Sequence, residues 1–374
     1  MISVLVVDDS VVVRKLIVDA LSNAPNIKVV GTASNGLLAQ TRIDQLRPDV
    51  VTMDIEMPQM NGIEAVRELR KRHPRLPVIM FSTLSAAGAS GTLEALAAGA
   101  TDYVTKPANV GSIAESIAAV RQQLVPKIHV LAGGGAAPRP SQAPQHVPTA
   151  PGSARPTAPP LKPAAVRPPA KRGPQGRVDV IAIGSSTGGP DALAKVLTGL
   201  PSDLPVPIVV TQHMPPVFTR MFADRLCRST PLTVVEAAEG MELAAGTVYV
   251  APGDRHMMLR RRNAATVIQL SGAPPENSCR PAVDVMFRSV AQLYGPSAYA
   301  AVLTGMGQDG REGARVLRNA GAEVLAQDER SSVVWGMPGA VVGAGLADHV
   351  LPLDRMAAAL VNRLKIGRSA AVVQ

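Results

Sequence analysis

The chain has 374 residues, too many for one ordinary hydrophobic core, so its length predicts two or three domains. Lys and Arg outnumber Asp and Glu by 38 to 29, but seven of the nine net positive charges lie in one Pro-rich stretch. With four Phe, four Tyr and one Trp, the chain also has few rings on which bases could stack. Charge and aromatic content therefore exclude a general nucleic-acid-binding protein.

The N-terminal third alternates short β-branched runs with amphipathic helical patterns. This alternation predicts a doubly wound α/β domain, in which a five-stranded parallel sheet has helices on both faces. The predicted strands cover residues 4–7, 28–32, 50–53, 78–81 and 102–104.

Polar side chains follow four of these strands where each one ends. Asp8 and Asp9 follow the first strand, Asp54 ends the third, Ser82 ends the fourth, and Lys106 follows the fifth. Such groups converge at the carboxyl edge of a parallel sheet, where three carboxylates need a cation, and Mg²⁺ prefers oxygen ligands. Single surface acids are common, but this joint placement favours a phosphoryl-transfer site with Asp54 as the nucleophile.

The segments 7–10 (VDDS), 53–62 (MDIEMPQMNG) and 105–107 (TKP) resemble bacterial response-regulator receiver domains, and the resemblance covers about residues 1–125. It implies a flavodoxin-like fold and phosphorylation by a histidine kinase. It also implies roles for several residues: Asp54 as phosphoacceptor, Asp8 and Asp9 beside it on the Mg²⁺ side, Ser82 and Lys106 as the phosphate-sensing pair, and Tyr103 as the aromatic group that moves with them.

A Pro-rich segment separates the two halves of the chain. Residues 133–177 contain 12 Pro, seven Lys or Arg and no acidic residue, a composition that cannot form a packed core. We therefore divide the chain into a first domain at 1–126, a flexible basic linker at 127–177 and a second domain at 178–370. The linker charge allows weak contact with acidic partners or membrane surfaces, and a solvated spacer is the favoured interpretation.

The sequence also predicts the cellular compartment. The only two cysteines, Cys227 and Cys279, lack metal-binding spacing and are expected to be free thiols, as in a reducing cytoplasm. The N-terminus lacks the pattern of a signal peptide. The longest low-charge stretch, residues 333–347, is broken by Gly and Pro, so no segment is expected to insert into a membrane.

The second domain also alternates strands and helices, with strands predicted at 180–183, 207–212, 248–251, 300–304 and 323–326. This pattern predicts a second, larger doubly wound parallel sheet. After the first strand, Gly184, Ser186 and Gly188 form a G-x-S-x-G turn that exposes a nucleophilic serine. A phosphate-binding loop is the alternative, but no P-loop signature follows.

A nucleophilic serine needs a base and an acid that orients the base. His213 follows the next predicted strand directly, and His256 lies several residues beyond its own strand, so position favours His213 but leaves both open. His349 stands alone in a polar connection. For the acid, Asp309 lies in a Gly-rich turn after a strand, whereas Asp284 is expected in the first turn of a helix and Asp254 in a turn beside His256. The order Ser, His, Asp matches none of the α/β-hydrolase, chymotrypsin and subtilisin orders, which implies a distinct class of hydrolase.

Four segments resemble the catalytic domain of CheB, the chemotaxis protein-glutamate methylesterase: 183–189 (IGSSTGG), 211–215 (TQHMP), 251–257 (APGDRHM) and 303–310 (LTGMGQDG). The resemblance implies that Ser186 is the nucleophile, His213 the base and Asp309 its partner. Ser185 departs from the family because Ala is common there. We add amides near Thr187 and Met306 as the expected oxyanion hole.

The combined resemblance implies a cytoplasmic enzyme that hydrolyses glutamate methyl esters on the cytoplasmic domains of methyl-accepting chemoreceptors, releasing methanol, and deamidates some of their glutamines. The phosphodonor is a chemotaxis histidine kinase, and the esterase step needs no cofactor. We expect the unphosphorylated receiver to cover the catalytic crevice and phosphate on Asp54 to open it. Two rivals are a DNA-binding regulator, which would need a basic recognition helix after the linker, and a non-enzymatic adaptor, which would have lost the triad.

Overall fold

The structure is a computed structural model that describes residues 1–107, 112–133 and 176–367. Most of the predicted linker lies outside the described residues. No helix among the described residues is both long enough and apolar enough to cross a membrane.

The first domain is the predicted five-stranded parallel sheet, with strand order β2-β1-β3-β4-β5. Its helices begin at polar caps, as at Ser85 and Ser112, whose hydroxyl groups each accept a bond from a backbone N–H of the first turn. The strands are β1 (Ile2–Val7), β2 (Ile27–Ala33), β3 (Val50–Asp54), β4 (Val78–Ser82) and β5 (Asp102–Thr105), and the helices are α1 (Val11–Ser22), α2 (Gly36–Leu46), α3 (Gly62–Arg72), α4 (Ala86–Ala97) and α5 (Ile113–Ala132).

Strand β1 shows why the domain has helices on both faces. Leu5 and Val7 pack into the core under α2, α3 and α4, whereas Val4 and Val6 pack into the core under α1 and α5. Successive strand residues point to opposite faces, so a strand buried on both sides is apolar throughout. The doubly wound fold predicted from the sequence is confirmed.

Helix α5 continues past residue 126, where we placed the end of the first domain. Pro126 lies inside the helix, Ile128 is fully buried, and the Lys127 ammonium lies 2.6 Å from the Asp102 carboxylate. Burial and this ion pair hold the last helical turns against the sheet.

The second domain is a seven-stranded parallel sheet with strand order β14-β13-β12-β6-β7-β9-β8 and helices on both faces, as predicted for its class. A two-stranded antiparallel hairpin, β10 and β11, stands apart from the sheet. The strands are β6 (Val180–Ser185), β7 (Ile208–Gln212), β8 (Thr233–Glu236), β9 (Thr247–Val250), β10 (His256–Arg262), β11 (Ala265–Ser271), β12 (Ala298–Val302), β13 (Glu323–Gln327) and β14 (His349–Leu351), and the helices are α6 (Gly189–Thr198), α7 (Phe218–Ser229), α8 (Val283–Tyr294), α9 (Arg311–Asn319), α10 (Met337–Gly343) and α11 (Leu353–Lys365).

Four strands of this domain were not predicted. Strands β8 and β14 are edge strands of four and three residues, too short to show an alternation. His349 lies in β14, so its placement in a polar connection was wrong. The hairpin carries three consecutive arginines at the end of β10, and these obscure its period of two.

The two domains pack against each other through α4 and β5 of the first. Helix α4 lies against α6 and α7, and the Tyr103 ring stacks on Phe218 with 5.0 Å between centroids and 8° between planes. The Arg225 guanidinium on α7 donates to the Leu93 carbonyl of α4. One hydrophobic core is therefore continuous across the interface.

A buried ion pair fastens the C-terminal helix to the second sheet. Arg363 on α11 and Glu323 on β13 lie 2.7 Å apart with side chains only 6% and 7% exposed. We expect Arg363→Met to lower the free energy of unfolding by about 3 kcal/mol, because it leaves the Glu323 carboxylate buried without its partner. Denaturant unfolding followed by fluorescence of the single Trp, Trp335, reports this domain. The exposed Lys365→Met on the same helix is the control, and equal stability of the two variants would contradict the expectation.

Candidate active site and phosphoacceptor site

Ser186 lies in a tight turn between β6 and α6. Gly188 has φ of +74°, and a Cβ there would lie 2.6 Å from the Val333 side chain. A Cβ on Gly189 would lie 2.0 Å from the Gln212 side-chain oxygen. Both positions therefore need glycine, and the turn places Ser186 at the carboxyl edge of the sheet as predicted.

Gln212 fixes this turn to the neighbouring strand β7. Its side-chain oxygen accepts from the Ser185 hydroxyl at 2.7 Å, and its Nε2 donates to the Ser186 carbonyl at 3.0 Å. The amide thus sets the distance between the serine turn and His213, the next residue along the chain. We did not predict this role for Gln212, and the only signal was its place beside His213. The unusual Ser185 hydroxyl orients that amide.

His213 and Asp309 are paired although 96 residues separate them in the sequence. The His213 Nε2 lies 2.8 Å from the Asp309 Oδ2. Asp309 is 2% exposed and accepts further bonds from the backbone N–H groups of Val283, Asp284 and Gly310 and from the Asn277 side chain.

The surroundings of Asp309 keep it ionised. Burial raises the pKa of Asp309, but the bonds from His213 and from the backbone amides outweigh this effect and hold the pKa below its usual value. Two of these amides belong to the first turn of α8, where the helix dipole also favours a negative charge. The carboxylate is therefore charged at neutral pH and accepts a hydrogen bond from the protonated Nε2 of His213.

The second nitrogen of His213 faces a cysteine. The Nδ1 lies 3.4 Å from the Cys279 Sγ. Burial lowers the pKa of His213, but hydrogen bonds to Asp309 and Cys279 outweigh this and raise the pKa to about 10. Ser186 and His213 line one cavity of about 300 Å³, and within the described residues no hydrogen bond engages the Ser186 hydroxyl.

The expected oxyanion groups lie beside the serine turn. A Cβ on Gly305 would lie 2.9 Å from the Ser186 Cβ, which shows how closely the 304–307 turn approaches the nucleophile. The Thr304 hydroxyl donates to the Thr187 carbonyl at 2.9 Å and so ties the two turns together. In the part of the chain that the structure describes, no backbone partner takes the N–H of Thr187 or Met306, so both donors remain available to a ligand.

The competing candidates have structural roles. His256 is 1% exposed; its Nε2 pairs with the Pro274 carbonyl and its Nδ1 accepts from the Ala282 backbone, so both nitrogens are engaged. Asp284 lies in the first turn of α8, as predicted, and accepts from the Gly313 backbone at 2.6 Å. Asp254 pairs with Arg280.

The first domain forms one wall of the Ser186 cavity. Its lining includes Asp102, Tyr103 and Lys127 opposite His213. The Asp102 carboxylate accepts from the Thr187 hydroxyl at 2.7 Å, directly beside the nucleophile. This contact brings the first domain against the serine turn; that the first domain covers the crevice in the resting enzyme stays a prediction.

A second polar cluster lies at the carboxyl edge of the first sheet. Asp54 is 4% exposed, and its Oδ1 lies 2.8 Å from the Lys106 ammonium. The Ser82 hydroxyl donates to the Gly88 carbonyl of α4 at 3.0 Å. A cavity of about 180 Å³ opens between Asp54, Ser82 and Lys106, with Asp9 at its rim. The structure brings together all the side chains that the sequence predicted here.

The acidic residues of this cluster fit a divalent cation. Oxygen atoms of Asp8, Asp9 and Asp54 lie within 4.8 Å of one another. The buried Asp8 Oδ2 lies 3.3 Å from the Lys106 ammonium and has no other polar partner within the described residues, so this anionic oxygen keeps room for a cation. Carboxylate oxygens are the ligands that Mg²⁺ prefers.

Comparison with known proteins agrees with both halves of this description. Residues 4–118 match the family model of the response regulator receiver domain, and residues 181–360 match that of the CheB methylesterase. A protein from Nocardioides sp. named protein-glutamate methylesterase/protein-glutamine glutaminase is 52% identical over 97% of this chain and 95% of its own length. The chain belongs to this family.

Two further proteins match the chain, one over nearly its full length and the other over its second domain. A protein of the same name from Trichodesmium erythraeum is 44% identical over 96% of this chain and 98% of its own length. The solved catalytic domain of CheB from Thermotoga maritima is 43% identical, covers 50% of this chain and 98% of that chain, and has a TM-score of 0.49. On the family models, we call the first domain the receiver domain and the second domain the methylesterase domain.

The receiver site makes a pH-dependent prediction. Burial raises the pKa of Asp54 to about 6, against the opposing effect of Lys106, with the Asp8 charge adding to the rise. We expect an NMR titration midpoint for Asp54 near this value, and a phosphorylation rate that falls as pH drops through it, because only the carboxylate is nucleophilic.

Two changes should move this midpoint in opposite directions. Lys106→Met should raise it by removing the neighbouring positive charge, and added Mg²⁺ should lower it by stabilising the carboxylate. Lys15→Met, at an exposed position on α1, is the control. A midpoint near 4 in the unliganded chain, unaffected by Lys106→Met, would contradict the expectation.

Proposed function

We propose that this chain is a phosphorylation-activated protein-glutamate methylesterase that also deamidates glutamines, with chemoreceptors as its substrates. The observation that carries the proposal is the His213–Asp309 pair, 2.8 Å apart, whose histidine lines one cavity with Ser186. The names of the full-length relatives supply the substrate class. Ester and primary-amide hydrolysis share the acyl-enzyme chemistry that this arrangement supports.

In this mechanism Ser186 attacks the ester carbonyl of the glutamate side chain. His213 takes the serine proton on Nδ1, since Nε2 faces Asp309, and the ionised Asp309 stabilises the imidazolium that forms. The amides of Thr187 and Met306 donate to the oxyanion of the tetrahedral intermediate. Methanol leaves with the proton from His213, and water then releases the glutamate from Ser186. A glutamine substrate differs in that ammonia leaves.

Phosphorylation of the receiver begins with attack by the Asp54 carboxylate on the phosphoryl group of a histidine kinase or small phosphodonor. Asp8, Asp9 and Asp54 would hold Mg²⁺, which neutralises charge on the transferring group when bound. Lys106 shifts from the carboxylate to a phosphate oxygen, and Ser82 turns from the Gly88 carbonyl to another.

These movements bear directly on the domain interface. Ser82 releases the first turn of α4, the helix that packs on α6 and α7. Tyr103, between Ser82 and the methylesterase domain, stacks on Phe218 in the resting arrangement. Moving from mostly covered to mostly open needs about 5 kcal/mol of differential stabilisation, which several rearranged contacts can supply. Phosphate at Asp54 therefore weakens the contacts that hold Asp102 against Thr187.

The setting of this activity follows from the same assignment. The phosphodonor is a chemotaxis histidine kinase, the substrates are the cytoplasmic domains of methyl-accepting receptors, and the enzyme works in the cytoplasm. A substrate side chain borne on a helix must enter the Ser186 cavity. The docked receiver and the incoming substrate therefore compete for one face of the methylesterase domain. The domain limits 1–126, 127–177 and 178–370 remain the proposed division of the chain.

Methanol release from methylated receptor membranes tests the activity. We expect release by the wild type to rise with phosphodonor and Mg²⁺, and Ser186→Ala to lower it by about a thousandfold or more, because the nucleophile is gone. Asp54→Asn should keep the basal rate and lose the response to phosphodonor. Covalent labelling of Ser186 by a fluorophosphonate without any methanol release would point to a different ester, and neither labelling nor release would favour an adaptor.

The interface makes a separate prediction. Tyr103→Ala removes the stacking on Phe218, and we expect basal methanol release without phosphodonor to rise about fivefold, because an aromatic pair contributes on the order of 1 kcal/mol. Tyr294→Ala, on the far core of the methylesterase domain, is the matched control. A basal rate in Tyr103→Ala equal to that of the wild type would show that this contact does not restrain the enzyme.

A further inference from the structure

A short turn before α8 contacts both members of the His213–Asp309 pair. Asn277 and Ser278 have φ of 52° and 62°, a left-handed conformation that is uncommon for residues other than glycine. The backbones of Glu276 and Cys279 close the turn with two mutual hydrogen bonds. A turn of this shape is held by its surroundings, and such strain is concentrated at functional sites.

Ion pairs anchor both ends of this turn. Glu276 forms two bonds of 2.6 and 2.7 Å with the Arg288 guanidinium on α8. Arg280 donates to the Asp254 carboxylate and to the carbonyls of Gly272 and Ala273. The turn is thus fixed to α8 on one side and to the β10–β11 hairpin region on the other.

The fixed turn directs two side chains into the site. The Asn277 amide donates to the Asp309 Oδ1 at 2.9 Å, and the Cys279 Sγ lies 3.4 Å from the His213 Nδ1. Asn277 therefore stabilises the Asp309 carboxylate, whereas the Cys279 thiol is bonded to the Nδ1 of His213.

The occupied nitrogen is the one that catalysis needs. Because Nε2 faces Asp309, only Nδ1 can accept the proton of Ser186. In this arrangement Nδ1 is bonded to the thiol, and the Ser186 hydroxyl has no hydrogen bond within the described residues. A His213 Nδ1 that donates a hydrogen bond to the Cys279 sulfur has no lone pair to accept the serine proton, so this contact and proton transfer from Ser186 exclude each other.

We propose that Cys279 is a positioning residue that holds the His213 Nδ1 in the resting enzyme and must yield this nitrogen to Ser186 before each acylation. The inference rests on the proposed esterase function and adds to it a residue that restrains the base. The thiol is not a nucleophile here, and it forms no bond to substrate. Its effect is to reduce the fraction of molecules in which Nδ1 is free.

Charged and titratable groups around His213 come from every element packed on it. The raised pKa of His213 has hydrogen bonds to both Asp309 and Cys279 among its causes, so losing Cys279 should lower it. Cys279→Ala leaves the other charged groups in place. These are Asp309 from the turn before α9, Asp284 from α8, Glu276 from the same turn as Cys279, and Asp102 and Lys127 from the receiver wall of the cavity.

The test compares Cys279→Ala with wild-type full-length enzyme. We expect the acid limb of the pH profile of kcat/KM for methanol release to move to lower pH by about one unit, because loss of one hydrogen-bonded partner shifts a pKa by about that much. Below the limb this shift corresponds to about a tenfold gain in rate. Cys279→Ser, which keeps a hydrogen-bonding group but cannot ionise, should fall between the two.

The second cysteine supplies a matched control. Cys227 is exposed on α7, so Cys227→Ala should leave the profile unchanged. NMR titration of the His213 ring in both variants provides a readout that needs no substrate, and its midpoint should fall only in Cys279→Ala.

The outcomes separate this inference from the proposed function. An unchanged His213 midpoint in Cys279→Ala, or a rate reduced at every pH with the limb in place, overturns the role of Cys279. A different result would overturn the esterase assignment and support the thiol contact: a His213 midpoint that is lowered in Cys279→Ala, together with a wild-type enzyme that releases no methanol from methylated receptors.

Discussion

The active site depends on one buried carboxylate. Asp309 accepts hydrogen bonds from His213, from Asn277 and from three backbone N–H groups, two of them at the start of α8. An ionised carboxylate with 2% exposure persists only where donors replace its water. Its bonds join the turn after β12, the helix α8, the turn at 276–280 and the end of β7. The orientation of the base therefore depends on the packing of the whole domain.

The carboxyl edge of the methylesterase sheet faces α4 and β5 of the receiver at the domain interface. Asp54, the proposed phosphoacceptor, is connected to the interface through Ser82, α4 and β5. Ser186, the proposed nucleophile, precedes Thr187, which is bonded to Asp102. The interface combines an apolar part, formed by Tyr103 and Phe218, with a polar part beside the nucleophile. Because apolar contacts add affinity without direction, the polar part sets the register in which the receiver meets the cavity.

Side chains next to the triad control it as much as the triad itself does. Gln212 fixes the serine turn to β7, and Cys279 engages the base from the opposite side. Each forms hydrogen bonds to groups of the site, so each favours one arrangement of the site over others. The site is thus held in a resting geometry in which nucleophile and base lie in one cavity without a bond between them.

The two parallel sheets and the side chains at their carboxyl edges could be predicted from the sequence alone. Alternation of apolar runs and the glycines at 184, 188 and 189 are local signals, so they placed Ser186 and the Asp54 cluster at the ends of strands, where the structure has them. The residues alone left His213 and His256 both open as the partner of Asp309, because residues 96 positions apart carry no local signal of contact; the family resemblance favoured His213, and the structure shows the contact itself. Asn277, Gln212 and Cys279 were missed for the same reason. Their roles arise from strained turns and long-range hydrogen bonds, which depend on how the completed sheet brings its loops together.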